Sequence, residues 1–226
     1  IDKPTGITSS AVVNKIKWAC NARKAGHAGT LDPSATGILA IALGEATKTI
    51  PYVTEQIKSY TFEVKWGEAT DSDDSDGKII KTSQMRPSEQ DIIAILPRFR
   101  GEIKQTPPFF SAVKINGRRA YELARSGEDF DIASRSLFVS SLRLEKYISE
   151  NSAILSLECG KGGYVRSIAR DLGLELGCYG HVKWLRRIAS GSFNLSMAHS
   201  LDTILKLNKT SAVNNFILPV ELLSLI

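Results

Sequence analysis

The chain has 226 residues, 42% of them hydrophobic and 23% charged, with a formal net charge of +5. A chain of that length buries about 70% of its unfolded surface, and its composition excludes a disordered, collagen-like or disulfide-stapled protein. No apolar run reaches the roughly 18 residues of a membrane helix, and no basic start followed by an apolar stretch marks a secretory signal. The first residue is Ile1 rather than Met, so a short N-terminal piece is expected ahead of it. The excess of cations points toward an anionic partner such as nucleic acid.

Taken in chain order, "TSSAVVNKIKWAC" has cap residues followed by Val12, Val13, Ile16 and Ala19 at helical spacing, which predicts a helix from about Ser9 to Cys20. "GILAIALG" is a short apolar run between glycines and predicts one buried strand. "KSYTFEVKWG" alternates, with Tyr60, Phe62, Val64 and Trp66 on a core face and Thr61, Glu63 and Lys65 on a polar one. An acidic turn, "ATDSDDSDGKII", leads into another strand. Ser88 and Asp91 form a capping-box pattern ahead of an apolar helical stripe. A mixed segment rich in Pro, Gly and cations ends in a short helix. "RSLFVSSLRLEKYI" and "NSAILSLEC" predict paired strands, "GGYVRSIARDLGLEL" a helix, "HVKWLRRIASGSF" a strand, and the tail short helices. Strands and helices mix without strict βαβ alternation, so the fold class is α+β.

Several chemistries are excluded by spacing. "GKGGYVRS" lacks the G-x-G-x-x-G pattern, and no P-loop or nucleophile elbow occurs. In "DSDDSDG" the calcium-ligand positions fall on Ser72 and Ser83, so the run predicts a solvated turn. His27, His181 and His199 are scattered, and Cys20, Cys159 and Cys178 include no C-x-x-C pair. No metal is expected, and reduced thiols suit a cytoplasmic protein.

What remains is a set of residues with two readings each. Asp32 precedes Pro33, the pattern of a helix N-cap followed by proline at the first helical position. It is also a carboxylate on a Gly-rich loop, "GHAGTLDPSATG", where a substrate could approach the backbone closely. Tyr60 is either a core aromatic or a stacking surface for a base. Arg166 and Arg170 sit at the start of a helix against the macrodipole, off the stripe of Val165, Ile168, Ala169 and Leu172. They read as surface arginines or as partners of a carboxylate or phosphate. Lys114, Arg118, Arg119 and Arg125 near Tyr121, and Lys183, Arg186 and Arg187 near Trp184, read as a solvated basic face or as a grip on a phosphate backbone.

In order along the chain, "DKPTGITS", "GHAGTLDPSATGIL", "GEATK", "KSYTFEVKWGEATDSDDSDG", "TPPFFSAVKINGRRAYELARSG", "GKGGYVRSIARDLG" and "LRRIASGSF" resemble the motifs of the TruB family of RNA pseudouridine synthases. The resemblance covers nearly the whole chain. It implies the pseudouridine-synthase fold, a mixed and mostly antiparallel central sheet flanked by helices and loops. It also implies one catalytic domain over residues 1–226 with an RNA-clamping insertion at about 86–130, and no C-terminal PUA domain. "ILPVELLSL" resembles the end of that catalytic domain. Asp32 matches the family's catalytic aspartate, Tyr60 the tyrosine that stacks on the target base, and Arg166 the arginine that pairs with the aspartate. Tyr164 matches a second pocket tyrosine and His27 a histidine near the flipped nucleotide. Lys3 and Pro4 match the motif that braces the pocket, and Leu185 falls in a segment that lines it. Lys114, Arg118 and Arg119 are expected to contact RNA.

The implied reaction breaks the N1–C1′ bond of a uridine, turns the base and rejoins it through C5. Nothing is oxidised or hydrolysed, so no cofactor is expected. A carboxylate serves either as nucleophile at C1′ or as base at C2′. The base must first leave its stack, which suits a tRNA T-loop uridine at position 55. The expected partner is the T-arm stem-loop of tRNA, met by a monomer without a membrane. The alternatives are a guide-dependent enzyme acting on ribosomal RNA and a non-catalytic tRNA-binding or tRNA-folding module.

Overall fold

The structure is a computed structural model that describes residues 1–207. In chain order the elements are β1 (Asp2–Lys3), α1 (Ser9–Ala19), β2 (Ala25–His27), β3 (Thr36–Ile38), β4 (Ile41–Leu43), α2 (Ile50–Glu55) and β5 (Lys58–Trp66). Then come β6 (Glu68–Thr70), β7 (Ile79–Thr82), α3 (Glu89–Ile95), β8 (Gly101–Gln105), β9 (Lys114–Ile115), β10 (Arg118–Arg119) and α4 (Ala120–Arg125). The last are β11 (Arg135–Ser149), β12 (Ser152–Cys159), α5 (Val165–Glu175), β13 (Gly180–Ser190), β14 (Phe193–Asn194) and α6 (Leu201–Lys206). The helix α6 answers the start of the expected helical tail; the rest of that expectation, "ILPVELLSL" included, lies outside the described residues.

The chain divides into two units, one of Ile1–Tyr60 with the chain from Arg186 onward, the other of Thr61–Leu185. In unit one, β1 pairs antiparallel with β3, and β3 runs parallel to β13 through Arg186↔Thr36 and Arg187↔Gly37. The strand β14 folds back antiparallel on β13, so the expected "HVKWLRRIASGSF" strand is a hairpin turned at Gly191. Helix α1 forms as predicted. The Thr8 hydroxyl caps the Ala11 N–H, and Val12, Val13, Ile16 and Ala19 are buried. "GILAIALG" is not one strand. It splits into β3, paired with β1, and β4, paired with β2, because two different neighbours claim its halves.

In unit two, β11 pairs antiparallel with β12, as the paired-strand expectation required, and on its other edge with β8, a strand within the segment read only as mixed Pro, Gly and cations. The Ser88–Asp91 capping box starts α3. Core side chains come from β5 (Phe62, Val64, Trp66), β12 (Leu155, Leu157) and α5 (Val165, Ile168, Ala169, Leu172). The mixed pairing, mostly antiparallel, with helices alongside, is the α+β class expected.

Two corrections arise where polar residues are buried. The outer face of β5 is not simply wet. Glu63 is buried there, accepting from Lys183 Nζ at 2.9 Å and Trp184 Nε1 at 2.6 Å. The acidic turn is only partly solvated: Ser72 and Asp73 are buried, while Ser75 and Asp76 are exposed.

Candidate active site

The Asp32 loop of unit one is held from three directions. The Ser9 hydroxyl, on the first turn of α1, accepts from Leu31 N and donates to Leu31 O, both at 2.9 Å. On the other side of Asp32, the Pro33 carbonyl accepts from Gly6 N at 2.8 Å and from Lys3 Nζ at 3.0 Å. Thr5 Oγ1 donates to Ser34 O at 3.1 Å. The segment "KPTGITS" is therefore a brace for the residues flanking Asp32. The third direction is Arg187, only 1% exposed. Its guanidinium donates to Gly29 O at 3.0 Å, Thr30 O at 3.4 Å and Ile38 O at 2.7 Å, tying the two ends of the loop together.

Asp32 begins no helix, which corrects the capping reading. Ala35 N donates to Asp32 O at 3.1 Å, closing a turn that runs into β3. The Asp-Pro pattern is equally a turn opener, and the braces on either side commit the backbone to that turn. Asp32 is left partly exposed between a buried Leu31 and an exposed Pro33. Gly37 has φ +101°, and a Cβ there would stand 2.1 Å from Arg187 O, so only glycine lets β3 approach β13.

A buried lysine and a half-buried histidine flank this loop. Lys3 is wholly buried and donates to Pro4 O, Ile7 O and Pro33 O at 2.8–3.0 Å. Burial pulls its ammonium down to about 8, against the opposing pull of the Asp32 charge. His27, on β2, is held below the ordinary imidazole range by burial and by the charge of Arg187, with a backbone hydrogen bond at Gly29 opposing. Its Nδ1 is buried without a hydrogen-bond partner. Tyr60, the last residue of unit one on β5, is 7% exposed.

In unit two, Arg166 is buried rather than on the surface. Its guanidinium donates to Ser72 O and Phe110 O, each at 3.0 Å, and lies 3.7 Å from the Asp74 carboxylate. Arg170 pairs with Asp73 at 2.9 Å and Asp171 at 2.8 Å, and donates to Thr106 O. Partners of these arginines thus include the acidic turn and the loop after β8. Burial pushes the Asp73 carboxyl up to about 6, against the pull of Arg170. Tyr164 stands at the N-terminus of α5 with no side-chain cap of its own. The buried Gln105 amide serves instead, accepting from Tyr164 N at 2.9 Å and donating to Tyr164 O at 3.1 Å. Leu185 is half-buried on β13. Lys114, Arg118 and Arg119 are exposed on the β9–β10 hairpin; Arg118 pairs with Glu128 at 2.9 Å, and Arg119 donates to Ala112 O.

The "KWLRR" cations are spent internally. Lys183 is on Glu63, Arg186 makes a two-bond pair with Asp2 at 2.7 and 3.0 Å, and Arg187 is within the loop. Ser9, Gln105 and Arg187 as positioning groups were not foreseen. Ser9 reads as an ordinary helix-start residue, and no pattern names a carbonyl acceptor that lies 149 residues away.

A sequence model of the TruB family pseudouridylate synthase N-terminal domain matches residues 17–165, and one of the tRNA pseudouridylate synthase B C-terminal domain matches residues 166–224. The tRNA pseudouridine synthase B of Ruegeria pomeroyi is 54% identical over 221 residues, 98% of this chain and 73% of that protein. Its counterpart in Dinoroseobacter shibae is 56% identical over the same shares. Among solved structures, a Cbf5-Nop10-Gar1 complex matches with TM-score 0.69 at 30% identity, over 90% of this chain and 52% of that one. An H/ACA RNP bound to a substrate RNA containing 2′-deoxyuridine matches with TM-score 0.67 at 27% identity, over 90% and 50%. The chain spans about half the length of these structural neighbours. With a family model matched over residues 17–165 and 73% of each of the two tRNA pseudouridine synthase B sequences covered at 54–56% identity, the chain belongs to the TruB family of pseudouridylate synthases.

Proposed function

We propose that the protein isomerises the T-loop uridine at position 55 of tRNA to pseudouridine, with Asp32 as the essential carboxylate. The observation that carries this reading is the Asp32 turn. The peptide groups on both sides of the aspartate are hydrogen-bonded to α1 and the 3–6 segment, while its side chain stays partly exposed and caps no helix. Such a carboxylate is preorganised, so its orientation costs little at the moment of reaction.

In the proposed reaction the N1–C1′ bond breaks, the uracil rotates, and C5 bonds to C1′; the C5 proton leaves and N1 gains one. Asp32 supports the anomeric centre as nucleophile at C1′ or base at C2′. Tyr60 stacks on the detached base, and Tyr164, Leu185 and His27 shape its surroundings. Arg166, held by carbonyls and by Asp74, supplies fixed positive charge. Lys3 acts through the Asp32 loop, and Lys114, Arg118 and Arg119, within the clamp at about 86–130, meet phosphates. Identity supports a tRNA substrate over a guided ribosomal one: 54–56% to tRNA pseudouridine synthase B against 27–30% to the complexes above.

The test is Asp32→Asn, assayed for pseudouridine in a T-arm stem-loop beside the melting temperature. Asn suits the same turn, so the expected result is an unchanged Tm with no product. Full activity would remove Asp32 from the reaction.

A further inference from the structure

Unit one carries a strongly charged surface that the catalytic reading leaves unused. Between Asp2 and Asp32 the sequence has no acidic residue, and it places Lys15, Lys17, Arg23 and Lys24 around a tryptophan. Helix α1 buries Val12, Val13, Ile16 and Ala19 and exposes Asn14, Lys15, Lys17 and Trp18. At 100° per residue, Trp18 lies about 60° from Lys15 on one side and about 100° from Lys17 on the other. Asn21, Arg23 and Lys24, just past the helix, are exposed as well. Among the described residues, these four cations form no ion pair.

Cations in a helix's last turn complement its dipole, which accounts for Lys17. It accounts neither for an indole 70% exposed to water nor for the absence of any countercharge. A large aromatic face ringed by unpaired cations has the composition of a stacking platform for unpaired bases. The platform is also rigidly tied to the proposed chemistry. Ser9, on the same helix, holds Leu31 at 2.9 Å, and Lys24 leads directly into β2 and His27.

We infer that the outer face of α1 and the 21–24 turn form a second RNA contact, outside the aspartate loop. Trp18 stacks there on an unpaired base, and Lys15, Lys17, Arg23 and Lys24 neutralise the flanking phosphates. The inference rests on the reading of this chain as an enzyme acting on RNA.

The test uses intact tRNA and the full chain, with Trp18→Ala, Trp18→Phe and the double variant Lys15→Gln/Lys17→Gln. Trp18→Ala is expected to raise Kd and KM about tenfold, the loss of one stacked base, with kcat unchanged. Trp18→Phe keeps most of the affinity but loses the quenching of tryptophan fluorescence on RNA binding. The double variant flattens the plot of log K against log salt by about 1.4 to 1.8. Unchanged Tm values check that the fold is intact. Unchanged Kd, salt slope and quenching across all three variants would overturn the inference. If the unsubstituted protein makes no pseudouridine, the catalytic reading fails, while the Kd and fluorescence measurements still decide whether this surface meets RNA.

Discussion

Lys3 shows how one side chain links the sequence to the site. Its ammonium serves three carbonyls, one of them Pro33 beside the proposed catalytic aspartate. In the unfolded chain it titrates near 10.5, and in the fold at about 8. Between those values the unfolded chain binds more protons, so this group's contribution to stability rises with pH; its burial penalty is complete below pH 8. Function runs the other way. A neutral amine has two N–H donors for three carbonyls, and the brace on Pro33 loosens. The urea midpoint of the protein is therefore expected to rise relative to Lys3→Met from pH 8 to 10, while kcat on a T-arm stem-loop falls over the same range. A pH-independent difference in midpoint would show that Lys3 titrates normally. Arg166 was legible as a residue in conflict with its local setting and Asp32 as one with two readings, and each resolved differently from its plain reading. The arginine is buried because Ser72 and Phe110 carbonyls and Asp74 meet it. The aspartate is in a turn because neighbouring peptide groups are already bonded elsewhere.

Among the elements, α1 does more than fill the core. The Ser9 hydroxyl is bonded to both the N–H and the C=O of Leu31, all of them buried. Ser9→Ala would leave two buried backbone groups unsatisfied, a cost of about 1–3 kcal/mol each where water does not replace the hydroxyl. The expected result is a lower Tm together with a kcat that falls more than KM rises, since the aspartate is misaimed while RNA-binding surfaces stay intact. Steady-state kinetics on a T-arm stem-loop separate the two; an unchanged kcat in a destabilised protein would make Ser9 purely structural. The strand expectations show where periodicity stops being informative. The alternation in β5 located Phe62, Val64 and Trp66 in the core, but the burial of Glu63 depended on Lys183 and Trp184 arriving from β13. "GILAIALG" reads as one strand because apolar runs carry no record of partners; β1 and β2 divide it.

For the whole molecule, the net charge of +5 belongs to association rather than to chemistry. Binding of a T-arm stem-loop is expected to weaken steeply with salt, through counterion release, while kcat at saturating RNA changes little. Measuring Kd and kcat from 50 to 300 mM salt checks this, and a kcat that tracks Kd would place the exposed cationic side chains in the reaction itself. Sequence alone determined the α+β class, the helix α1, the capping box of α3, the β11–β12 pairing and the family, because those depend on local periodicity, caps and ordered motifs. Tertiary structure decided which arginines are buried, that the acidic turn serves them, and that Lys3, Ser9 and Arg187 hold the Asp32 loop. Those depend on hydrogen bonds to backbone carbonyls and amides far along the chain. Every residue carries the same peptide group, so no sequence pattern distinguishes the one that will be the acceptor.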